Sequence, residues 1–123
     1  MANDFKRFVK KDIGTGEGAS GSTVYTVPAG AGSSALESIV IGITIANKST
    51  AGITCDVFID ALGGATDDVY IVKDASIPAG SSLEVMSGNK LVLQNNGSAG
   101  DILKMTSSTG SAADGIVSVL EDV

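Results

Sequence analysis

The segment Leu36–Asn47 alternates its side chains with a period of two residues, and this pattern constrains the fold more than any other feature of the chain. On a regular strand its four isoleucines would share one face: Ile39, Ile41, Ile43 and Ile45. The residues between them are small and uncharged. A period of two is the repeat of a β-strand, and a second face without charge is typical of a strand inside a sheet. The segment is therefore predicted to form a central β-strand.

Similar short segments follow one another along the chain, separated by glycine, serine and asparagine. Residues 53–61 alternate apolar and polar side chains, which predicts a strand with one buried face. Further strands are predicted at residues 23–27, 69–73, 82–86, 90–94, 102–107 and 116–121. About eight short strands at this spacing are typical of sandwiches and barrels. The predicted fold class is all-β: an antiparallel β-sandwich, jelly-roll or immunoglobulin-like, with an N-terminal arm.

Residues 1–21 are predicted to form an N-terminal arm and a glycine-rich linker, ahead of a β-sandwich domain at residues 22–123. Four of the eight basic residues precede residue 12, so residues 1–12 carry four positive and two negative charges, a net +2, and the remainder carries −8. The density of glycine in residues 14–21 is typical of a flexible linker. The spacing of apolar residues leaves open whether the arm is a strand, a helix or extended chain.

Six residues of the arm are predicted to bind a partner: Phe5, Lys6, Arg7, Phe8, Lys10 and Lys11. The phenylalanines would enter apolar grooves of the partner, while the basic side chains would meet acidic groups at its rim. Because the glycine-rich linker should decouple the arm from the core, we predict that a chain without residues 1–13 stays folded but binds its partner far more weakly. If the arm is a strand of the sandwich, the truncated chain unfolds.

The composition argues against catalysis, because the chain contains no histidine, the usual general base and metal ligand near neutral pH. Its single cysteine, Cys55, alternates with apolar residues and is predicted to be a buried small hydrophobic side chain. Gly16-x-Gly18-x-x-Gly21 matches the dinucleotide-binding pattern in letters, but a strand follows it where that site requires a helix. The chain is predicted not to be an enzyme and to use no cofactor.

Acidic residues are concentrated near the middle of the sequence, at Asp56, Asp60, Asp67, Asp68 and Asp74. Calcium prefers hard oxygen ligands of this kind. However, the spacing is not that of a calcium-binding loop, and acidic side chains commonly keep the solvent face of a sheet soluble. We therefore predict no metal site.

Aromatic residues make up only 4% of the chain, so its core must consist largely of aliphatic side chains. A core with so few large side chains, together with the uneven charge, predicts a homo-oligomer that buries further apolar surface. The acidic body would repel phosphate, so nucleic acid is not an expected partner. No apolar segment reaches the length of a membrane helix, and the first residues lack the apolar region of a secretory signal.

Several stretches resemble small virion structural proteins of tailed bacteriophages, of the marine and cyanobacterial type. The resembling stretches are residues 3–7, 13–15, 23–29, 41–47, 70–83 and 116–121. The resemblance implies a β-sandwich present in many copies on the head, neck or tail, and it assigns no catalytic residues. The glycine-rich segment departs from shorter versions of the pattern.

The resemblance leads to two functional hypotheses. The first is a capsid decoration (cement) protein that binds the outer surface of the capsid, with the major capsid protein or another virion protein as partner. The alternative is a tail, neck or fibre-base module involved in attachment or host-surface binding. Either protein would be assembled in the cytoplasm of the bacterial host and located in the virion.

Overall fold

A computed structural model describes residues 3–16, 22–30, 32, 35–61, 68–86 and 90–122. This part of the chain contains nine β-strands and no α-helix. The strands are β1 (Asn3–Lys10), β2 (Ser22–Thr26), β3 (Leu36–Asn47), β4 (Ile53–Asp60), β5 (Asp68–Ile77), β6 (Ser82–Glu84), β7 (Leu91–Asn95), β8 (Ile102–Ser107) and β9 (Ala113–Asp122).

The strands form two antiparallel sheets that pack against each other. The first sheet has the order β1-β9-β3-β6, with β7 also paired to β3, and the second has the order β2-β8-β4-β5. The pairing is nested along the chain: first strand with last, β2 with β8, β3 with β7 and β6, and β4 with β5. This nested order is that of a double-sheet jelly roll. The predicted antiparallel β-sandwich is confirmed, and the strand order is of the jelly-roll type.

The predicted arm contains an edge strand of the first sheet. Strand β1 pairs with β9 in an unbroken register from Asn3–Asp122 to Lys10–Gly115. Beyond this strand, Ile13 is fully buried, and its backbone N–H donates to the carbonyl oxygen of Ala113 at 2.8 Å. Of the three conformations that the sequence left open, β1 is a strand. Residues 17–21, which include most of the predicted linker, lie outside the described residues.

A β-bulge in β3 interrupts the alternation of the isoleucines. The register with β9 shifts between Val40 and Gly42, so one extra residue is inserted there. Beyond the bulge Ile43 and Ile45 are fully buried in the core, whereas Ile41 is 41% exposed. The prediction that all four isoleucines share one face is wrong, because an extra residue reverses which side chains point inward.

The core lies between the two sheets and is built almost entirely from aliphatic side chains. In β4, Ile53, Cys55 and Val57 face the core as predicted, and the buried position of the cysteine is confirmed. The prediction that β4 buries only one face is wrong, because Asp56, Phe58 and Asp60 on its other face are buried as well. Burial also raises the pKa of the Cys55 thiol. The backbone at Gly100 lies so close to that of Val27 that a side chain does not fit there. A Cβ atom at this position would be 2.3 Å from the carbonyl oxygen of Val27.

Candidate interaction surface

The outer face of the first sheet, which points away from the core, carries an apolar row that crosses four strands. Phe5 of β1 pairs with Leu120 of β9, Leu120 with Ile39 of β3, and Ile39 with Val92 of β7. Directly paired residues of antiparallel strands point to the same face, so these side chains form one line. We call these four residues the apolar row.

Exposed apolar side chains are concentrated on this face. Six large apolar side chains are exposed in the described part of the chain, and five of them lie here: Phe5, Val9, Ile41, Val92 and Ile116. Phe5 is 76% exposed and Val92 is 55% exposed. A contiguous exposed apolar patch marks an interaction site more often than scattered apolar residues do. The outer face of the first sheet is therefore the strongest candidate for a binding surface.

The six predicted partner-binding residues do not form a single surface, because alternate residues of a strand point to opposite faces. Phe5 and Arg7 point outward with the apolar row. Phe8 points the other way and packs inside the protein, with its ring centroid 4.5 Å from that of Tyr25. Phe5 and Phe8 are thus separated by the sheet, whereas a helical turn would have placed them together.

Lys10 and Lys11 lie at the end of β1, beside a shallow groove of about 300 Å³. Val9 and Ile116, which are paired across β1 and β9, provide the apolar part of its lining, and Asp114 and Gly115 complete it. The arrangement combines an apolar floor with two basic side chains at the rim, where the carboxylate of Asp114 is already paired with Lys48 at 3.0 Å between Oδ1 and Nζ. Such a groove suits a partner that presents an apolar group flanked by carboxylates.

Lys6 has a structural role in addition to its position on β1. Its ammonium nitrogen Nζ lies 2.8 Å from Oε1 of Glu121, a carboxylate that is only 1% exposed. The other oxygen of Glu121 accepts a hydrogen bond of 2.5 Å from the hydroxyl of Tyr25, which in turn lies 2.7 Å from Oγ of Ser38. Since the Tyr25 proton is donated to Glu121, Ser38 donates to Tyr25. This network joins β1, β2, β3 and β9.

The network changes the acidity of Tyr25. Burial raises the pKa of its hydroxyl well above the usual value, and the hydrogen bond to the Glu121 carboxylate raises it further. Both effects favour the protonated hydroxyl, because an ionised oxygen there would be poorly solvated beside a negative carboxylate. Tyr25 therefore acts as a hydrogen-bond donor in the folded protein at neutral pH.

The structure places the described acidic residues in two pairs between β4 and β5, Asp60 with Asp68 and Asp56 with Asp74, rather than in one cluster. Asp56 accepts a hydrogen bond of 2.6 Å from the backbone N–H of Asp74, and Asp60 pairs with Lys104 at 3.5 Å between Oδ2 and Nζ. Asp67 lies outside the described residues. Within the described ranges, no three side chains of the histidine, cysteine, aspartate and glutamate types gather as metal ligands.

Comparison with known proteins found no family model, no curated protein and no solved structure that matches this chain. None of the described segments is a helix long and apolar enough to cross a membrane. The basis for a function is therefore the surface of the sandwich: its apolar row, and the groove with basic side chains at the end of β1.

Sequence reasoning proposed Lys10 and Lys11, which lie beside the groove, but it missed the apolar row. The row joins residues from four strands that are far apart in sequence, and it depends on the bulge that turns Ile39 and Ile41 outward. The buried Glu121 was also missed, since a glutamate near the end of a predicted strand is normally solvated. The local signal for the bulge is Gly42, because a glycine inside a strand pattern often marks one, whereas Glu121 has no such signal.

Proposed function

We propose that this chain is a structural protein of a bacteriophage virion, a decoration protein that binds the outer surface of the capsid. The resemblance of its sequence to small phage virion proteins supports the proposal. The jelly-roll strand order is in keeping with it, since double-sheet jelly rolls occur in viral capsid proteins. They also occur in lectins, so the fold gives only general support.

The observation that carries the proposal is the groove between β1 and β9. Its apolar lining and its basic rim lie on an edge strand, where a large partner has free access. An interface of this kind typically places an apolar centre inside a polar rim. The partner would be the major capsid protein or another virion protein that presents acidic groups beside an apolar side chain.

The proposal predicts that charge reversal at the groove weakens binding to particles. Purified protein would be added to phage particles assembled without it, and the bound fraction measured by co-sedimentation at increasing salt. We expect Lys11→Glu to reduce affinity by about tenfold, equivalent to about 1.4 kcal/mol. We expect wild-type binding to weaken as salt is added, because exposed charges are screened beyond about 8–10 Å near physiological ionic strength.

Lys90→Glu is the matched control, because Lys90 is also an exposed lysine but precedes β7 at the opposite edge of the sheet. It should bind like the wild type. Equal losses in the two variants would contradict docking through the groove. Separate heads and tails in the same assay distinguish the proposed function from the alternative, because a tail, neck or fibre-base module would bind tails and leave heads bare.

A further inference from the structure

The two outer faces of the sandwich differ in how well the chain covers its own apolar surface. On the second sheet, Phe58 is fully buried and its ring lies 5.0 Å from that of Tyr70, while Lys104 pairs with Asp60 beside them. Through these contacts the chain itself shields Phe58, on the outer face of the second sheet, from solvent. The outer face of the first sheet leaves Phe5 and Val92 exposed by more than half. None of the described residues therefore shields these two side chains of the apolar row fully from solvent.

The geometry of the row makes it complementary to itself. Its members follow the order β1, β9, β3 and β7 across the sheet. A two-fold axis parallel to the strands, running between β9 and β3, reverses this order in a second copy. Phe5 of each copy then lies over Val92 of its partner, and Leu120 lies over Ile39. Every member of the row meets an apolar side chain in this arrangement.

The size of the face is sufficient for a weak dimer. Three strands with about eight residues on this face and the five residues of β7, about 4.8 Å apart and at about 3.4 Å per residue, cover roughly 500 Å². Two such faces bury roughly 1,000 Å² in total, which is the lower limit of specific protein interfaces. Sheets that pack face to face in this way lie about 10 Å apart, as the two sheets of a sandwich do. An association in the micromolar range is expected from a contact of this size.

We propose that the apolar row binds the same row of a second copy of this chain, in an isologous dimer formed by the outer faces of the two first sheets. The dimer contains its own two-fold axis and needs no other component. Its existence does not depend on the virion function proposed above, because sedimentation of the purified chain tests it without any other virion component. Val9 and Ile116 of the groove lie on the same face, so a partner bound in the groove would displace the second copy.

The test is sedimentation of the purified chain over a concentration series from about 1 µM to about 300 µM. The wild type should shift from monomer to dimer over this range. Val92→Asp should lower the association constant by at least about tenfold, because it places a carboxylate inside the contact. Val69→Asp should dimerise like the wild type.

Val69 is a close control, since it is 57% exposed against 55% for Val92 and lies on β5 of the second sheet. Both substitutions place the new carboxylate in solvent in the monomer, and equal melting temperatures at low concentration would show that neither unfolds it. A wild type that stays monomeric throughout the series would overturn the proposal. An equal loss of association in the two variants would overturn it as well.

Discussion

Deletion of residues 1–13 is expected to abolish the cooperative thermal unfolding of this protein. The deletion removes β1, which pairs with β9 along eight residues, and leaves β9 as an unprotected edge. It also removes Ile13, which is fully buried, and Phe8, which packs on Tyr25. These losses fall on the core itself, so the remaining strands should not form a stable sandwich.

The loss of unfolding free energy expected from this deletion is comparable with the total stability of a small domain. Removal of a buried isoleucine costs about 2–5 kcal/mol. Loss of Lys6, whose side chain is 44% exposed, leaves the buried carboxylate of Glu121 without its cation, and an unsatisfied buried polar group costs about 1–3 kcal/mol. A natural domain has a total stability of about 5–15 kcal/mol, so these two contacts account for much of it.

Circular dichroism and thermal melting of the truncated chain would measure this effect. The full-length Lys11→Glu variant is the control, because it changes the charge near β1 and keeps the strand. It should melt within a few degrees of the wild type. A truncated chain with the same strand content and a sharp transition would show that β1 is dispensable and that the arm is not an integral strand of the sandwich.

Replacement of Tyr25 by phenylalanine is expected to lower the unfolding free energy at neutral pH. It is also expected to weaken the dependence of the unfolding free energy on alkaline pH. At neutral pH the variant leaves the buried Glu121 carboxylate and the Ser38 hydroxyl without their shared partner. An unsatisfied buried polar group of this kind costs about 1–3 kcal/mol. The aromatic contact with Phe8 is retained, so the loss comes from the hydroxyl.

The alkaline effect follows from the raised pKa of Tyr25 in the folded protein. Below pH 10 the hydroxyl is protonated in both the folded and the unfolded chain, and its full contribution is present. Above pH 10 it ionises in the unfolded chain first, so the unfolded state gains stability by up to about 1.4 kcal/mol per pH unit. The contribution of Tyr25 is therefore lost as the pH rises toward the folded-state value.

Denaturant unfolding of the wild type and Tyr25→Phe at a series of pH values between 7 and 11 would measure both effects. The difference in unfolding free energy should be largest at neutral pH and should shrink above pH 10. Because other groups titrate equally in the two proteins, the comparison isolates the Tyr25 hydroxyl. A constant difference up to pH 11 would contradict a protonated, buried Tyr25.

The class of fold could be predicted from the sequence because each strand has a local signal. The alternation in β3 and β4 and the glycine, serine and asparagine between segments predicted nearly every strand at its observed place. The nested pairing has no such signal, since contacts such as Asn3 with Asp122 join opposite ends of the chain. The local sequence therefore predicts where the strands lie but not which strands pair with each other.

The site was predicted only in part, for two physical reasons. The glycine-rich segment suggested that residues 1–13 are decoupled from the core, but the edge of β9 and the pocket for Ile13 hold them in the sandwich. The bulge at Val40 turned two isoleucines outward, and its one local sign, Gly42, was taken as a small residue of a regular strand. Lys10 and Lys11 could be proposed from the sequence alone because a charged side chain at a strand end is solvated wherever the strand lies.

The number of copies of this chain in purified phage particles tests the central proposal most directly. Quantitative mass spectrometry would compare it with the major capsid protein of the same particles. A decoration protein occupies a site repeated over the whole capsid lattice, so we expect hundreds of copies per particle. A count of about a dozen, as on a single symmetric ring of the neck or tail, would contradict capsid decoration, and absence from the particle would contradict a virion function.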